Sequence, residues 1–213
     1  MGAQFFSISE AMRFGWRTAK ERFWFFAQAI IVIALITYGP GVIMRSFDRI
    51  ELPTLVTLFF FLAGIVFWVV QLLISIGLIQ ITLSHVDSRK TDIAELFTGA
   101  RFLMDYVLGS FLFALIVGVG LVLLVVPGLI FLARFQFYQY VIVDKGAGSV
   151  QALKESWRIT AGAFWQLVLF WLAVLGANIL GFAALGIGLF WSIPATMLAT
   201  GWVYRRLSHR SHA

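Results

Sequence analysis

Polar side chains standing inside apolar runs are the first places to look for chemistry in this sequence. Arg134 is the sharpest, in "PGLIFLARFQFYQY", with Gln136, Tyr138 and Gln139 close behind it. It lies about 10 Å along a helix from Pro127, and Asp144 lies about 15 Å further on. A guanidinium at that depth costs at least ~2.5 kcal/mol unless it is paired or hydrated, so it is expected to face the bundle interior, with Tyr138 on the same face one turn on. It would there bind an anionic group, such as a lipid phosphate or a small carboxylate, or hold helix carbonyls, Asp105 or an inward glutamine. Ser192, Thr196 and Thr200 recur at i, i+4 and i+8 beside Pro194 in the last apolar run. Such hydroxyls line a polar path or bond one helix to another. Arg134, Tyr138, Gln136, Gln139, Ser192, Thr196 and Thr200 are therefore the candidate ligand- or lipid-binding residues.

Stronger chemical signatures are missing. His85-x-Asp87 is a weak metal pattern, more often solvated surface. There is no nucleophile-base-orienter set, no phosphate-cradling glycine loop and no pair of intramembrane carboxylates. Cysteine is absent, which removes disulfides, thiolate nucleophiles and sulfur-ligated metals. The expectation is a chain that is not an enzyme and takes no metal or cofactor.

The elements that must position these residues are written in the spacing of charges. Hydrophobic residues make up 61% of the 213 and charged residues only 12%, against about 25% in soluble domains. No formally charged residue falls between Arg22 and Arg45, Glu51 and Asp87, Asp105 and Arg134, or Arg158 and Arg205. A helix crossing the hydrocarbon needs about 20 residues, so three gaps hold one span each and the last holds two. Runs such as "LVLLVV" lack the alternation of a membrane β-barrel. The reading is all-α and polytopic, with six transmembrane helices near 24–44, 54–82, 104–126, 129–144, 163–182 and 186–204. The helix-stopping pair Pro127-Gly128 is expected to close a tight hairpin between the third and fourth.

With six spans, thirteen of the sixteen Lys and Arg residues fall on one side of the membrane. That bias marks the cytoplasmic side, so the expectation is a bacterial inner-membrane protein with both termini cytoplasmic. The net charge of +6 then reports topology and anionic lipid rather than nucleic acid.

A basic-aromatic stretch occurs twice without a gap, as "AMRFGWRTAKERFW" (11–24) and "ALKESWRITAGAFW" (152–165). Its second appearance deep in the chain argues against reading the first as a targeting signal. A weaker third copy is "DIAELFTGARFLM" (92–104). The apolar face of the first copy is read as Met12, Trp16, Ala19 and Phe23, one side of an α-helix. Ser7 with Glu10 resembles a capping box, and Thr91 or Asp92 and Ser149 are candidate caps for the others. Each copy is expected to be a short amphipathic helix in the cytoplasmic interface that leads into a transmembrane hairpin. Arg13, Trp16, Arg17, Trp24, Lys154, Trp157, Arg158 and Trp165 are the expected interfacial anchors. The whole is one integral membrane domain over 1–206, with approximate repeats 7–84, 90–145 and 148–205, and a short basic tail at 207–213.

The segment from Pro127 to Leu167, with Pro127-Gly128, Arg134, "ALKESWR" carrying Ser156 and Trp157, and Gly162, resembles a known family. So does the closing "IPATMLATGWVYRRL" with Pro194 and Tyr204. The chain is similar to the membrane domain associated with some bacterial glycerophosphoryl diester phosphodiesterases, and to related six-span proteins of unknown function. In those enzymes the chemistry belongs to a separate soluble domain, for which this chain has no room. The resemblance thus implies a membrane module. The leading expectation is a non-catalytic structural, lipid-interacting or partner-binding protein whose partners are anionic membrane lipids and another membrane protein. The alternative is a transporter or lipid-handling protein with an anionic-ligand site centred on Arg134.

Overall fold

Backbone polar groups in an apolar surrounding must be satisfied within their own segment, and every regular element among the described residues is helical. The computed structural model describes residues 5–45, 53–87, 89, 98–184 and 186–210. In chain order the helices are α1 (Ile8–Glu21), α2 (Phe23–Arg45) and α3 (Thr54–Val86), then a 3-10 turn (Thr98–Phe102) running into α4 (Leu103–Leu123). After these come α5 (Val125–Phe135), α6 (Tyr138–Lys145), α7 (Ser149–Ile159), α8 (Phe164–Ala183) and α9 (Leu189–Arg210). Among the described residues, four stretches are long and apolar enough to cross a membrane: α3, α4 with its leading turn, α5 and α6 taken together, and α8.

Ser7 caps α1 by accepting the Glu10 amide, as its position before the helix predicts. Of the apolar face expected for α1, only Ala19 is buried. Ala11, Gly15 and Ala19 are buried against α9, while Trp16 is 45% exposed and Met12 and Phe23 only half-buried. Small residues four apart let two backbones approach, and a Cβ on Gly15 would collide with the carbonyl oxygen of Ala195. Trp16, expected as an interfacial anchor, stays outside that contact. Close backbone contact requires the small residues.

Leu124 is the one extended residue between α4 and α5. Pro127 falls in the first turn of α5, where its missing N–H would have no intrahelical partner. Gly120 and Gly128 then bring the two helices together, since a Cβ on Gly120 would meet the Gly128 Cα at 3.0 Å.

Buried side chains gather where α3 ends, α4 begins, and α6, α7 and the end of α9 converge. Ile76, Tyr106, Phe137, Ile142, Leu153 and Tyr204 are members of this core. The far ends of α3, α4, α5 and α8 expose residues such as Leu58, Phe61, Val122, Leu123, Val126 and Leu180. An apolar exterior around a polar-bonded interior suits hydrocarbon as solvent.

Two further expectations are revised. The described part of the third copy is a 3-10 turn and the first residues of α4, with Gly99 and Phe102 turned inward and Met104 71% exposed. Its opening residues 92–97 and the candidate caps Thr91 and Asp92 lie outside the described residues. The basic tail does not begin at 207, since α9 continues to Arg210 with Leu207 and Ser208 buried.

Candidate functional site at the broken helix

The run that carries Arg134 is not one helix. α5 ends at Phe135 and α6 begins at Tyr138, joined by a turn at Gln136 and Phe137 in which Gln136 keeps helical dihedral angles and Phe137 departs from them. A break strands backbone groups that must find other partners. Here α7 supplies them. The Phe137 amide donates to Ser156 Oγ at 3.1 Å, and Ser156 Oγ donates to the Arg134 carbonyl at 2.9 Å. Thr160 Oγ1 lies 3.0 Å from the same carbonyl and 2.7 Å from the Ser156 carbonyl. Ser156 and Thr160 are fully buried, and one turn apart they present both hydroxyls to the joint.

The Arg134 side chain closes this arrangement. Its Nη1 donates to the Thr160 carbonyl at 3.1 Å, and its guanidinium lies 4.1 Å from the Trp157 ring centroid. Phe135 packs on the other part of Trp157, with centroids 5.2 Å apart. A helix-end carbonyl and an aromatic face are both favourable partners for a cation.

The joint also separates residues expected to share a face. Arg134 turns toward α7, whereas Tyr138 donates to Ser110 Oγ on α4 at 2.9 Å and stacks on Phe113. Gln139 donates to the Tyr138 hydroxyl at 3.0 Å. Gln136 donates to the Ala133 carbonyl and accepts from Trp171 Nε1 of α8 at 2.6 Å. Ser192, Thr196 and Thr200 form a separate group on α9. Thr196 Oγ1 donates to the Ser192 carbonyl at 2.8 Å, and Thr200 Oγ1 to the Thr196 carbonyl at 2.7 Å. None of their described hydrogen bonds reaches Arg134. Asp105, weighed as a partner for Arg134, accepts the Ser149 amide at 3.1 Å instead. A carboxylate at the start of α7 suits the positive end of its dipole, and Gly148 is the N-cap rather than Ser149.

The expected anchors divide. Trp24 and Trp165 are 77% and 74% exposed, and Arg13, Arg17 and Lys154 are exposed with them. Met12, Arg13, Trp16, Arg17 and Lys20 line one shallow surface depression, with Lys20 Nζ 5.6 Å from the Trp16 ring. Trp157, in the register of Trp16, packs beneath Arg134. Arg158 pairs with Glu155 at 2.8 Å, as Lys145 does from α6. Burial pushes the Glu155 carboxyl up, but hydrogen bonds and charge from Lys145 and Arg158 outweigh it and hold it below the usual range.

The sequence reading missed a second cluster. Arg205 Nη1 donates to Asp144 Oδ2 and Nη2 to Asp87 Oδ2, both at 2.7 Å, and Tyr204 donates to Asp144 at 2.8 Å. The three charged side chains are 15–19% exposed. One guanidinium thus ties the ends of α3, α6 and α9. Burial alone would lower the Arg205 pKa, and the two carboxylates more than reverse that. The available signal was positional, because Asp87, Asp144 and Arg205 each stand first after an apolar run. His85 bonds the Ile81 carbonyl at 2.8 Å, and no group of three metal-ligating residues occurs among the described residues.

Helices of this length and composition around a hydrogen-bonded joint are those of an integral membrane protein. The chain belongs to the family described as "Protein of unknown function (DUF975)", whose profile matches residues 22–211. It is 29% identical over 189 residues to the uncharacterized protein Mb2590 of Mycobacterium bovis, covering 85% of this chain and 58% of that protein. The uncharacterized protein Rv2560 of Mycobacterium tuberculosis matches with the same identity and coverage. The chain therefore spans less than two thirds of the length of these relatives. No solved structure matches.

Proposed function

We propose that the chain is a non-catalytic bacterial inner-membrane protein of six spans. Both termini are cytoplasmic, and the protein acts as a structural module that engages anionic lipid or a membrane partner. The observation that carries this reading is the two-faced α1. Its small residues are spent on α9, so Arg13, Trp16, Arg17 and Lys20 are left outward as a basic-aromatic face. Tryptophan beside lysine and arginine is the composition of a headgroup-level anchor. The length of α2 and α9, 23 and 22 residues, supports counting them as the first and sixth spans. The motif between Pro127 and Leu167 supports kinship with the phosphodiesterase-associated membrane domain, in which the membrane part does no phosphodiester chemistry.

Arg134 is the centre of the transporter alternative, but its hydrogen bond to Thr160 and its place over Trp157 support a structural role. The test of the leading reading is lipid retention. Each basic residue near an anionic surface contributes about 1 kcal/mol. The triple variant R13A/R17A/K20A should therefore lose at least roughly tenfold in phosphatidylglycerol adducts by native mass spectrometry, with an unchanged melting temperature. Equal adducts in both proteins would overturn the reading.

A further inference from the structure

A second basic surface lies apart from the outward face of α1. An open cleft of about 590 Å³ forms between the N-terminal segment with α1 and the end of α9. Its floor is the Asp87–Arg205 pair, whose charges are already committed to each other and to Asp144. Its wall is Trp202, Arg206, His209 and Arg210, with Phe5 opposite.

Trp202, Arg206 and Arg210 stand at i, i+4 and i+8, on one face of α9. The Arg206 guanidinium lies 4.9 Å from the Trp202 ring centroid, and that of Arg210 lies 4.4 Å from the Phe5 ring centroid. Each aromatic ring holds a planar fork by its face and leaves the N–H edge free for another group. Phe5 is itself fixed, because its amide donates to Gln166 Oε1 at 2.9 Å and its ring lies against Gly162. Among the described residues neither Arg206 nor Arg210 has a carboxylate partner.

This differs from the other arginines of the same end. Arg158 and Arg205 hold carboxylates, and Arg134 holds a carbonyl. Two oriented guanidiniums one helical turn apart, over a floor of already paired charges, match the geometry of a tetrahedral oxyanion with several acceptor oxygens.

We propose that the cleft between α1 and the end of α9 is a phosphate-binding site, with Arg206 and Arg210 as its ligating side chains. The phosphate belongs to a lipid headgroup or to a free phosphate. In the first case the proposal rests on the reading that this end of the bundle lies at the cytoplasmic leaflet, and in the second it does not.

Two probes distinguish the sources. Radiolabelled inorganic phosphate is measured by equilibrium dialysis against the detergent-solubilised full chain. Phosphatidic acid adducts are measured by native mass spectrometry of the full chain released from phosphatidylcholine nanodiscs doped with that lipid. R206A/R210A should lower occupancy by the bound probe at least roughly tenfold, as expected for the loss of charge-assisted hydrogen bonds. R206K/R210K keeps the charge but loses the fork, and it should recover only part of the binding. R13A/R17A/K20A should leave inorganic-phosphate binding in the dialysis unchanged, which separates this site from the lipid-facing side of α1. Loss of either probe in R206A/R210A, with an unchanged melting temperature, supports the site and identifies its source. Wild-type protein that binds neither probe, or a double variant that binds as well as wild type, overturns it. The dialysis result does not depend on topology, so a wrong orientation and a wrong site fail in different experiments.

Discussion

Ser156 and Phe137 meet across the break in the helix that carries Arg134, with the Phe137 amide donating to Ser156 Oγ at 3.1 Å. The same hydroxyl donates to the Arg134 carbonyl at 2.9 Å. One serine from α7 therefore satisfies a donor and an acceptor that the break sets loose. In a water-free surrounding such groups have few alternatives. The break and α7 thus depend on each other, and Arg134 with Thr160 completes the joint.

Ser156→Ala leaves both backbone groups without that partner, at a cost of about 1–3 kcal/mol. For a chain of this size each kcal/mol lowers Tm by about 2–4 °C. A thermal melt of the detergent-solubilised variant should show a clear fall in Tm, with fluorescence quenching also reporting a change around Trp157. An exposed control, Ser9→Ala, should melt within about 1 °C of wild type, since surface changes cost under ~0.5 kcal/mol.

The Asp87–Arg205–Asp144 cluster makes a non-additive prediction. Arg205→Ala leaves two nearly buried carboxylates facing each other and should cost about 2–3 kcal/mol. Removing all three charges together, as D87N/D144N/R205M, should cost less than R205A alone, because no uncompensated charge remains. The check is the ranking of melting temperatures, with the triple variant above the single one.

Much of this architecture was legible in the residues. Charge-free gaps found the long helices within a few positions, because the cost of a charge in hydrocarbon confines it to the ends. Ser7 announced the start of α1 through its capping chemistry. Arg134 stood out as an intramembrane charge, but its surroundings did not. Placing Tyr138 one turn on from Arg134 assumes one continuous helix, whereas the turn at Gln136 and Phe137 leaves Arg134 on Thr160 and Tyr138 on Ser110. The contact of α1 with α9 was not read, because a helix pressed against another backbone buries glycine and alanine, while its tryptophan goes outward. Arg205 escaped notice because its partners lie 61 and 118 positions away, a distance that no local pattern carries.

Glu155 provides a pH-dependent test outside the apolar segments. Its carboxyl is held below its ordinary value of 4.5 by Lys145 and Arg158. A group with a depressed folded pKa stabilises above the unfolded value, and that contribution is lost as pH falls through the folded value. Wild type should therefore melt above Glu155→Gln at neutral pH, and the gap should narrow as pH drops below about 4.5. A gap that stays constant from neutral to acid pH would remove the ionic contribution at this position.

The central claim is that thirteen of the sixteen Lys and Arg residues lie on one side, with six crossings between the termini. The chain contains no cysteine, so single cysteines can be placed freely as reporters. Phe47→Cys falls in the connection between α2 and α3, and Ser211→Cys follows α9. In bacterial cells expressing each variant, a membrane-impermeant maleimide should label position 47 in intact cells and position 211 only after permeabilisation. Labelling of both positions from the same side would contradict the six-span account.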